Sequence, residues 1–99
     1  MFRHVVMFTF KDGTSAAQIQ EVIDGLSTLP AAIKEIRSYA FGRDAGVNPG
    51  NYGLCVVGEF DSRDDYLVYR DNPAHTSVIA SAIAPIVDRR AAVQFESVA

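Results

Sequence analysis

The chain has 99 residues, with nine basic and twelve acidic side chains that give a formal net charge of −3. This length forms one domain, and a mixed charge balance argues against a nucleic-acid or anionic-membrane partner. A single cysteine excludes an internal disulfide framework, and no apolar run approaches the roughly 20 residues that span a bilayer. We therefore expect one cytoplasmic domain over residues 1–99, with no signal peptide before it.

The first half of the chain predicts a strand, a helix and a second strand. Residues 2–11 are rich in Val, Phe and Thr, which favour strands. Ser15 and the glutamine three residues later form a capping box, and apolar residues follow at helical spacing. Pro30 closes or kinks that helix. Residues 36–42 alternate larger and smaller side chains, which predicts the second strand, with Tyr39 packed in the sheet.

A third strand and a short helix follow. A turn at 48–51 precedes the valine-rich strand at 52–60. Asp61 or Ser62 caps the short helix, which stops before Pro73 because the residue preceding a proline disfavours helical backbone.

The next helix repeats one apolar side at helical spacing, formed by His75, Val78, Ile79, Ala82, Ile83 and Ile86. Pro85 breaks its end, and residues 91–98 form the last strand, preceded by Arg89 and Arg90 as solvated positions. The order β-α-β-β-α-β predicts an α+β fold of the ferredoxin-like split type, with helices on one side of an antiparallel four-stranded sheet.

Both faces of this sheet are apolar, although the helices cover only one of them. The helix-facing side carries alternate residues of two strands: His4, Val6, Phe8 and Phe10, then Leu54, Val56 and Phe60. The opposite face carries Val5, Met7, Cys55 and Val57. An uncovered apolar face of four strands is larger than monomers usually expose. We therefore predict a homodimer in which a second copy packs sheet on sheet.

The corner before the last helix holds the candidate chemistry. His75 opens that helix and points inward, where the positive helix end disfavours protonation. A neutral imidazole near pH 7 is what a general base requires. Tyr69 ends the preceding helix, and a phenol at the Pro73 corner can donate a hydrogen bond to a developing oxyanion. We expect His4 to face the same space.

Packing roles remain open alternatives for these side chains: His75 as a capping or core histidine, Tyr69 as a half-buried packing residue, and His4 as structural. The catalytic hypothesis assigns His75 and Tyr69 to catalysis. It assigns substrate binding to His4, with apolar walls from Val6, Phe8, Leu54, Val56 and Phe60. No spacing of His, Cys or carboxylates is typical of a metal site, so we expect no metal and no cofactor.

Several of these segments carry a family resemblance over residues 2–96. They are His4-Val5-Val6-Met7-Phe8-Thr9-Phe10-Lys11, Gly42 with Asp44, Phe60, and Tyr69 followed by Asn72-Pro73-Ala74-His75. The chain resembles the stress-responsive dimeric A/B barrel (Dabb) family. The resemblance implies one Dabb domain, a dimeric α+β barrel, and a cavity between sheet and helices.

The resemblance extends to the olivetolic acid cyclase-like polyketide cyclases of this family. In those members a His is the base and a Tyr binds the carbonyl, and the motif carries these roles to His75 and Tyr69, with the first-strand His at His4. Two departures bear on the substrate. The stretch 22–26 has no counterpart of a pocket tyrosine, and Asn72 stands where relatives often carry His.

Three functions follow from the residues and the resemblance. The first is a cofactor-independent lyase or cyclase that acts on a poly-β-keto or similar small apolar substrate. The second is a non-catalytic stress-responsive protein that binds a small apolar ligand. The third is a cofactor-free dimeric-barrel monooxygenase. A molecule bound in the cavity would discriminate among these three.

Overall fold

The computed structural model describes residues 1–98. These residues fold into a four-stranded sheet with a layer of helices on one face. The elements in chain order are β1 (Phe2–Phe10), α1 (Ala16–Ser27), α2 (Leu29–Ala32), β2 (Ser38–Arg43), β3 (Leu54–Phe60), α3 (Arg63–Asp71), α4 (Pro73–Val78), a π-helical turn (Ile79–Ile83) and β4 (Val87–Glu96). The sheet is antiparallel in the order β2-β3-β1-β4. The predicted ferredoxin-like α+β fold is confirmed.

Helix α1 begins at the predicted capping box. The Ser15 hydroxyl accepts a hydrogen bond from the Gln18 amide at 3.1 Å, and the Gln18 side chain accepts one from the Ser15 amide at 2.8 Å. Its buried stripe of Ile19, Val22 and Leu26 packs into the core. Pro30 lies inside the short helix α2 and not at the end of α1. The first turn of a helix tolerates proline, because the N–H that proline lacks has no hydrogen-bond partner within the helix at that position.

The start of the last strand is wrong in the sequence prediction. Strand β4 begins at Val87, which pairs with Phe10, and the register shifts between Phe8 and Phe10. Arg90 pairs with Phe8 and therefore shares the helix-facing side of the sheet. Arg89, its neighbour, holds its guanidinium 5.7 Å from the centre of the Tyr52 ring. Both arginines lie within the strand instead of preceding it.

The predicted last helix ends before Pro85, as expected, but its second half is π-helical and not α-helical. Helix α4 ends at Val78, and the Ala84 amide donates to the Ile79 carbonyl at 2.8 Å, which is the wider bond of a π-helical turn. Pro85 lacks an N–H, so an α-helical ladder cannot continue through it. The extra residue in this turn leaves Ile79 37% exposed while Ile83 and Ile86 are buried.

The helices cover the inner face of the sheet and leave the outer face open, as the alternation of the strand residues predicts. The inner face carries the buried side chains His4, Val6, Phe8, Leu54, Val56 and Phe60. On the outer face Val5, Cys55 and Val57 are half-buried, and Met7, Val93 and Phe95 are more than a third exposed. The register aligns Val57, Val5 and Val93 in one row across three strands. This apolar outer face has no cover within the single chain.

Candidate functional site

A cavity of about 360 Å³ lies between the inner face of the sheet and the helices. Its size is at the lower end of the range for small-molecule sites. Most of its wall is apolar, and a few polar side chains converge on it. The lining consists of His4, Val6, Phe8, Leu26, Tyr39, Val56, Tyr66, Tyr69, Arg70, His75, Ile79, Ile83, Ala84, Val87 and Arg90.

The α3–α4 corner brings Tyr69 and His75 together. Asn72 ends α3 with extended backbone, and its side chain accepts a hydrogen bond from the Ala74 amide at 2.9 Å, which caps α4. Pro73 then begins α4. As a result the Tyr69 and His75 rings stack with their centres 4.2 Å apart and an interplanar angle of 29°.

The tautomer of His75 follows from its hydrogen bond. Its Nδ1 lies 3.0 Å from the Arg70 carbonyl oxygen, which can only accept, so Nδ1 carries the proton. The neutral ring then keeps its lone pair on Nε2. Burial lowers the pKa of His75. The direction is the predicted one, but burial is the main cause, since α4 has only six residues and a weak dipole.

His4 is in the opposite tautomer. The Gln94 side-chain amide donates to its Nδ1 at 2.9 Å, so Nε2 carries the proton. The residue is only 4% exposed, and its ring centre lies 6.0 Å from that of Tyr69. Burial, reinforced by the positive charge of Arg90, lowers the pKa of His4 to about 4. His4 is therefore a neutral N–H donor at physiological pH.

Tyr69 is paired with a tyrosine that strand alternation had indicated only as a packing residue. The hydroxyls of Tyr39 and Tyr69 are 2.7 Å apart. Burial raises the pKa of Tyr39 to about 12 and that of Tyr69 well above its usual range. Both hydroxyls therefore remain protonated, and their mutual hydrogen bond uses one of their two hydrogens. The other hydrogen is available to an oxygen atom in the cavity.

The structure brings together His4, Tyr69 and His75, and places Val6, Phe8 and Val56 in the apolar wall. The sequence also assigned Leu54 and Phe60 to this wall, but neither is among the residues that line the cavity. Both belong to the closed core, at 1% and 0% exposure. The Phe60 ring packs against those of Tyr66 and Tyr69, with centres 5.6 and 5.1 Å apart, so the tyrosines stand between Phe60 and the cavity.

Sequence reasoning missed four polar members of the lining: Tyr39, Tyr66, Arg70 and Arg90. The signal for Tyr39 was present, since it shares a strand face with Phe41 and pairs with Gly58, which lies in the same inner-face row as His4. Arg90 was missed because the strand was started four residues too late. Tyr66 lies in α3, and its ring centre is 4.9 Å from that of His4.

Within residues 1–98, no group of three or more His, Cys, Asp or Glu side chains is arranged to hold a metal ion. Over the same residues, none of the helices has the length and apolar character needed to span a bilayer. The polar side chains that line the cavity are tyrosines, histidines and arginines.

The fold and cavity define a ferredoxin-like α+β barrel protein. Residues 2–97 match the model of the Stress responsive A/B Barrel Domain, and the chain belongs to this Dabb family. The Arabidopsis thaliana stress-response A/B barrel domain-containing protein HS1 is 31% identical over 75 residues, which are 74% of this chain and 69% of that protein.

Solved structures show the same fold. A dimeric ferredoxin-like protein of unknown function from Thermobifida fusca YX is 44% identical with a TM-score of 0.88, over 95% of this chain and 88% of that one. The hydroxynitrile lyase from Passiflora edulis is 20% identical with a TM-score of 0.81, over 95% and 90% of the two chains. The second likeness is one of fold alone.

Proposed function

We propose that this protein is a cofactor-independent lyase or cyclase that removes a proton from a carbon next to a carbonyl group in a small, mostly apolar substrate. The observation that carries the proposal is the stacking of His75, with its Nε2 lone pair, on Tyr69 at the wall of one apolar cavity. A base and an oxyanion donor at one cavity are the two groups that enolate chemistry needs. A poly-β-keto chain is the substrate class that best fits this pair.

The reaction needs only protons and the side chains of this chain. Nε2 of His75 takes the α-proton, and the electron pair moves onto the carbonyl oxygen. The spare hydrogen of the Tyr39–Tyr69 pair and the Nε2–H of His4 donate to that oxygen as its charge develops. The enolate carbon attacks a second carbonyl of the same chain, which forms a carbon–carbon bond. The new alkoxide recovers the proton from the His75 imidazolium.

We infer that two copies pair through the outer sheet face. The support is the apolar row of Val57, Val5 and Val93, which a single chain leaves uncovered, and the dimeric state of the Thermobifida fusca protein. Sheet-on-sheet packing removes this apolar area from water, at about 25 cal/mol per Å². Pairing through this face leaves the cavity on the opposite side of each sheet.

The test is acceleration of ring closure. A linear poly-β-keto chain with a short alkyl tail, offered as the free acid and as a thioester, is incubated with the protein, and the ring-closed product, together with any aromatic product formed from it by loss of water, is measured against the spontaneous rate. We expect acceleration by the unsubstituted protein and a return to background for His75→Gln. Ser77→Ala, an exposed position on the same helix, is the control that keeps the activity. No acceleration by the unsubstituted protein contradicts the proposal.

A ligand-binding protein gives a different result in the same set of variants. In that case His75→Gln and Tyr69→Phe lower the free energy of unfolding while ligands still bind, and no variant changes the spontaneous rate. The mostly apolar lining is equally suited to such a role, so binding is measured beside turnover in each variant.

A further inference from the structure

The two arginines of the cavity wall differ in their partners. Arg70 is held by Asp71 through two bonds, Nε to Oδ1 at 2.8 Å and Nη2 to Oδ2 at 3.1 Å. Arg90 takes part in none of the salt bridges formed within residues 1–98. The residues that line the cavity include no carboxylate. The guanidinium of Arg90 is therefore the unneutralised charge of this wall.

Arg90 stands where the cavity meets solvent. Its side chain is exposed and also belongs to the lining, and its position opposite Phe8 puts it on the inner face at the β4 edge of the sheet. Its charge acts on the polar part of the wall. It reinforces the effect of burial on the pKa of His4 and opposes the effect of burial on the pKa of Tyr66.

We propose that the cavity binds an amphiphilic carboxylate, with its apolar chain against Val6, Phe8 and Ile83 and its carboxylate on the Arg90 guanidinium. This inference rests on the proposed function and deepens it, because it makes the substrate an acid and not a neutral ketone. A guanidinium presents parallel N–H donors that match both oxygens of a carboxylate. With no acidic group in the wall, such a ligand meets no opposing charge.

The orientation that follows suits the proposed chemistry. The carboxylate stays at the solvent end, so its charge is not carried into the apolar interior, where burial of an unpaired ion is costly. The chain then runs inward toward His75 and Tyr69. The cavity volume of about 360 Å³ suits a ligand of short or medium chain length.

The test compares octanoate with octanamide, a neutral molecule of nearly the same shape, by NMR titration and calorimetry. We expect octanoate to bind at least about tenfold more tightly, as is usual for hydrogen bonds to a charged group. Arg90→Gln should remove this preference. Arg89→Gln is the matched control, because the adjacent guanidinium lies over Tyr52 and outside the lining. It should retain the preference.

Three results would overturn the inference: equal affinity for acid and amide, loss of the preference in the Arg89 variant as well, or no binding of either compound at millimolar concentration. None of these measurements depends on turnover. Acid-selective binding without ring closure means that the catalytic proposal fails and the acid site stands. Ring closure without a preference for the acid means that the acid site fails and the catalytic proposal stands.

Discussion

The phenolic oxygens of Tyr39 and Tyr69 lie 2.7 Å apart, a contact that joins β2 to α3 at the wall of the cavity. Each ring is also packed against the other, with centres 5.9 Å apart. A donor pair built in this way is fixed before any substrate arrives, because both rings are held by the sheet and the helix. Preorganised donors of this kind are the main source of oxyanion stabilisation in enzymes.

The tyrosine pair is predicted to act as one unit. Tyr69→Phe or Tyr39→Phe should lower the ring-closure rate roughly 10²–10³-fold by loss of an oxyanion donor. The double variant should be little slower than the singles, since either change already disrupts the shared donor. Each single change should lower the free energy of unfolding by about 1 kcal/mol, measured in urea. Tyr52→Phe is the control. If the rate losses of the two single variants add fully in the double variant, the two tyrosines do not act as one unit.

His4 is predicted to make stability depend on pH. Its folded-state pKa of about 4 is below its ordinary value of 6.5, so the unfolded chain binds more protons between these values. The free energy of unfolding should therefore fall as the pH is lowered from 6.5 toward 4, by about 3 kcal/mol over the whole range. Urea titrations of the unsubstituted protein and His4→Gln measure this difference. An equal pH dependence in both proteins would show that His4 is not the group responsible.

The same histidine reports on Arg90. Because the positive charge of Arg90 contributes to the low pKa of His4, Arg90→Gln should raise that pKa toward 6.5, measured by NMR of the ring protons. Burial is the larger cause and remains in the variant, so the pKa should stay below the ordinary value. Arg89→Gln should leave it unchanged.

The fold could be predicted because its signals are local. The capping box at Ser15, the alternation of β1 and the break at Pro73 each depend on neighbouring residues alone. The site was only partly predictable, because its members meet through the sheet register. Arg90 faces the cavity because the register of β1 and β4 pairs it with Phe8, a pairing that no local pattern indicates. The bond between Tyr39 and Tyr69 likewise joins residues 30 positions apart.

The outer sheet face is predicted to hold the dimer together. Val57→Asp should place an unpaired carboxylate in the interface and weaken pairing by about 3–5 kcal/mol. Sedimentation of this variant should show monomers at micromolar concentration. Val68→Asp, the same change at a position 47% exposed on α3, should leave the dimer intact. A well-folded monomer of the unsubstituted protein at that concentration would disprove the interface.

Cys55 is predicted to be unreactive. Its thiol is half-buried on the same outer face, and burial raises its pKa, so little thiolate is present at neutral pH. Alkylation under native conditions should be much slower than that of free cysteine, and unfolding in urea should restore the full rate. Rapid labelling of the native protein would mean that this face is open to reagents.

Gly25 is predicted to set the distance between α1 and α4. A Cβ atom at this position would lie 2.9 Å from a Val78 methyl carbon, closer than side chains normally approach. Gly25→Ala should lower the free energy of unfolding by about 1–3 kcal/mol, the usual effect of overpacking. Adding Val78→Ala supplies the missing space and should recover part of the loss in urea unfolding. A Gly25→Ala protein as stable as the original would contradict this close approach.

The number of residues in the π-helical turn at Ile79–Ile83, and not only their chemical character, determines where His75 lies relative to the sheet. The turn holds one residue more than an α-helical turn, and the buried Ile86 and the start of β4 fix its far end. Deleting one residue from it would turn α4 by about 100° relative to the sheet, because each residue of an α-helix advances by that angle. The imidazole would then leave the cavity although every wall residue of the sheet stayed in place. We therefore expect a one-residue insertion or deletion in this short segment to remove the His75 imidazole from the cavity while the fold is kept.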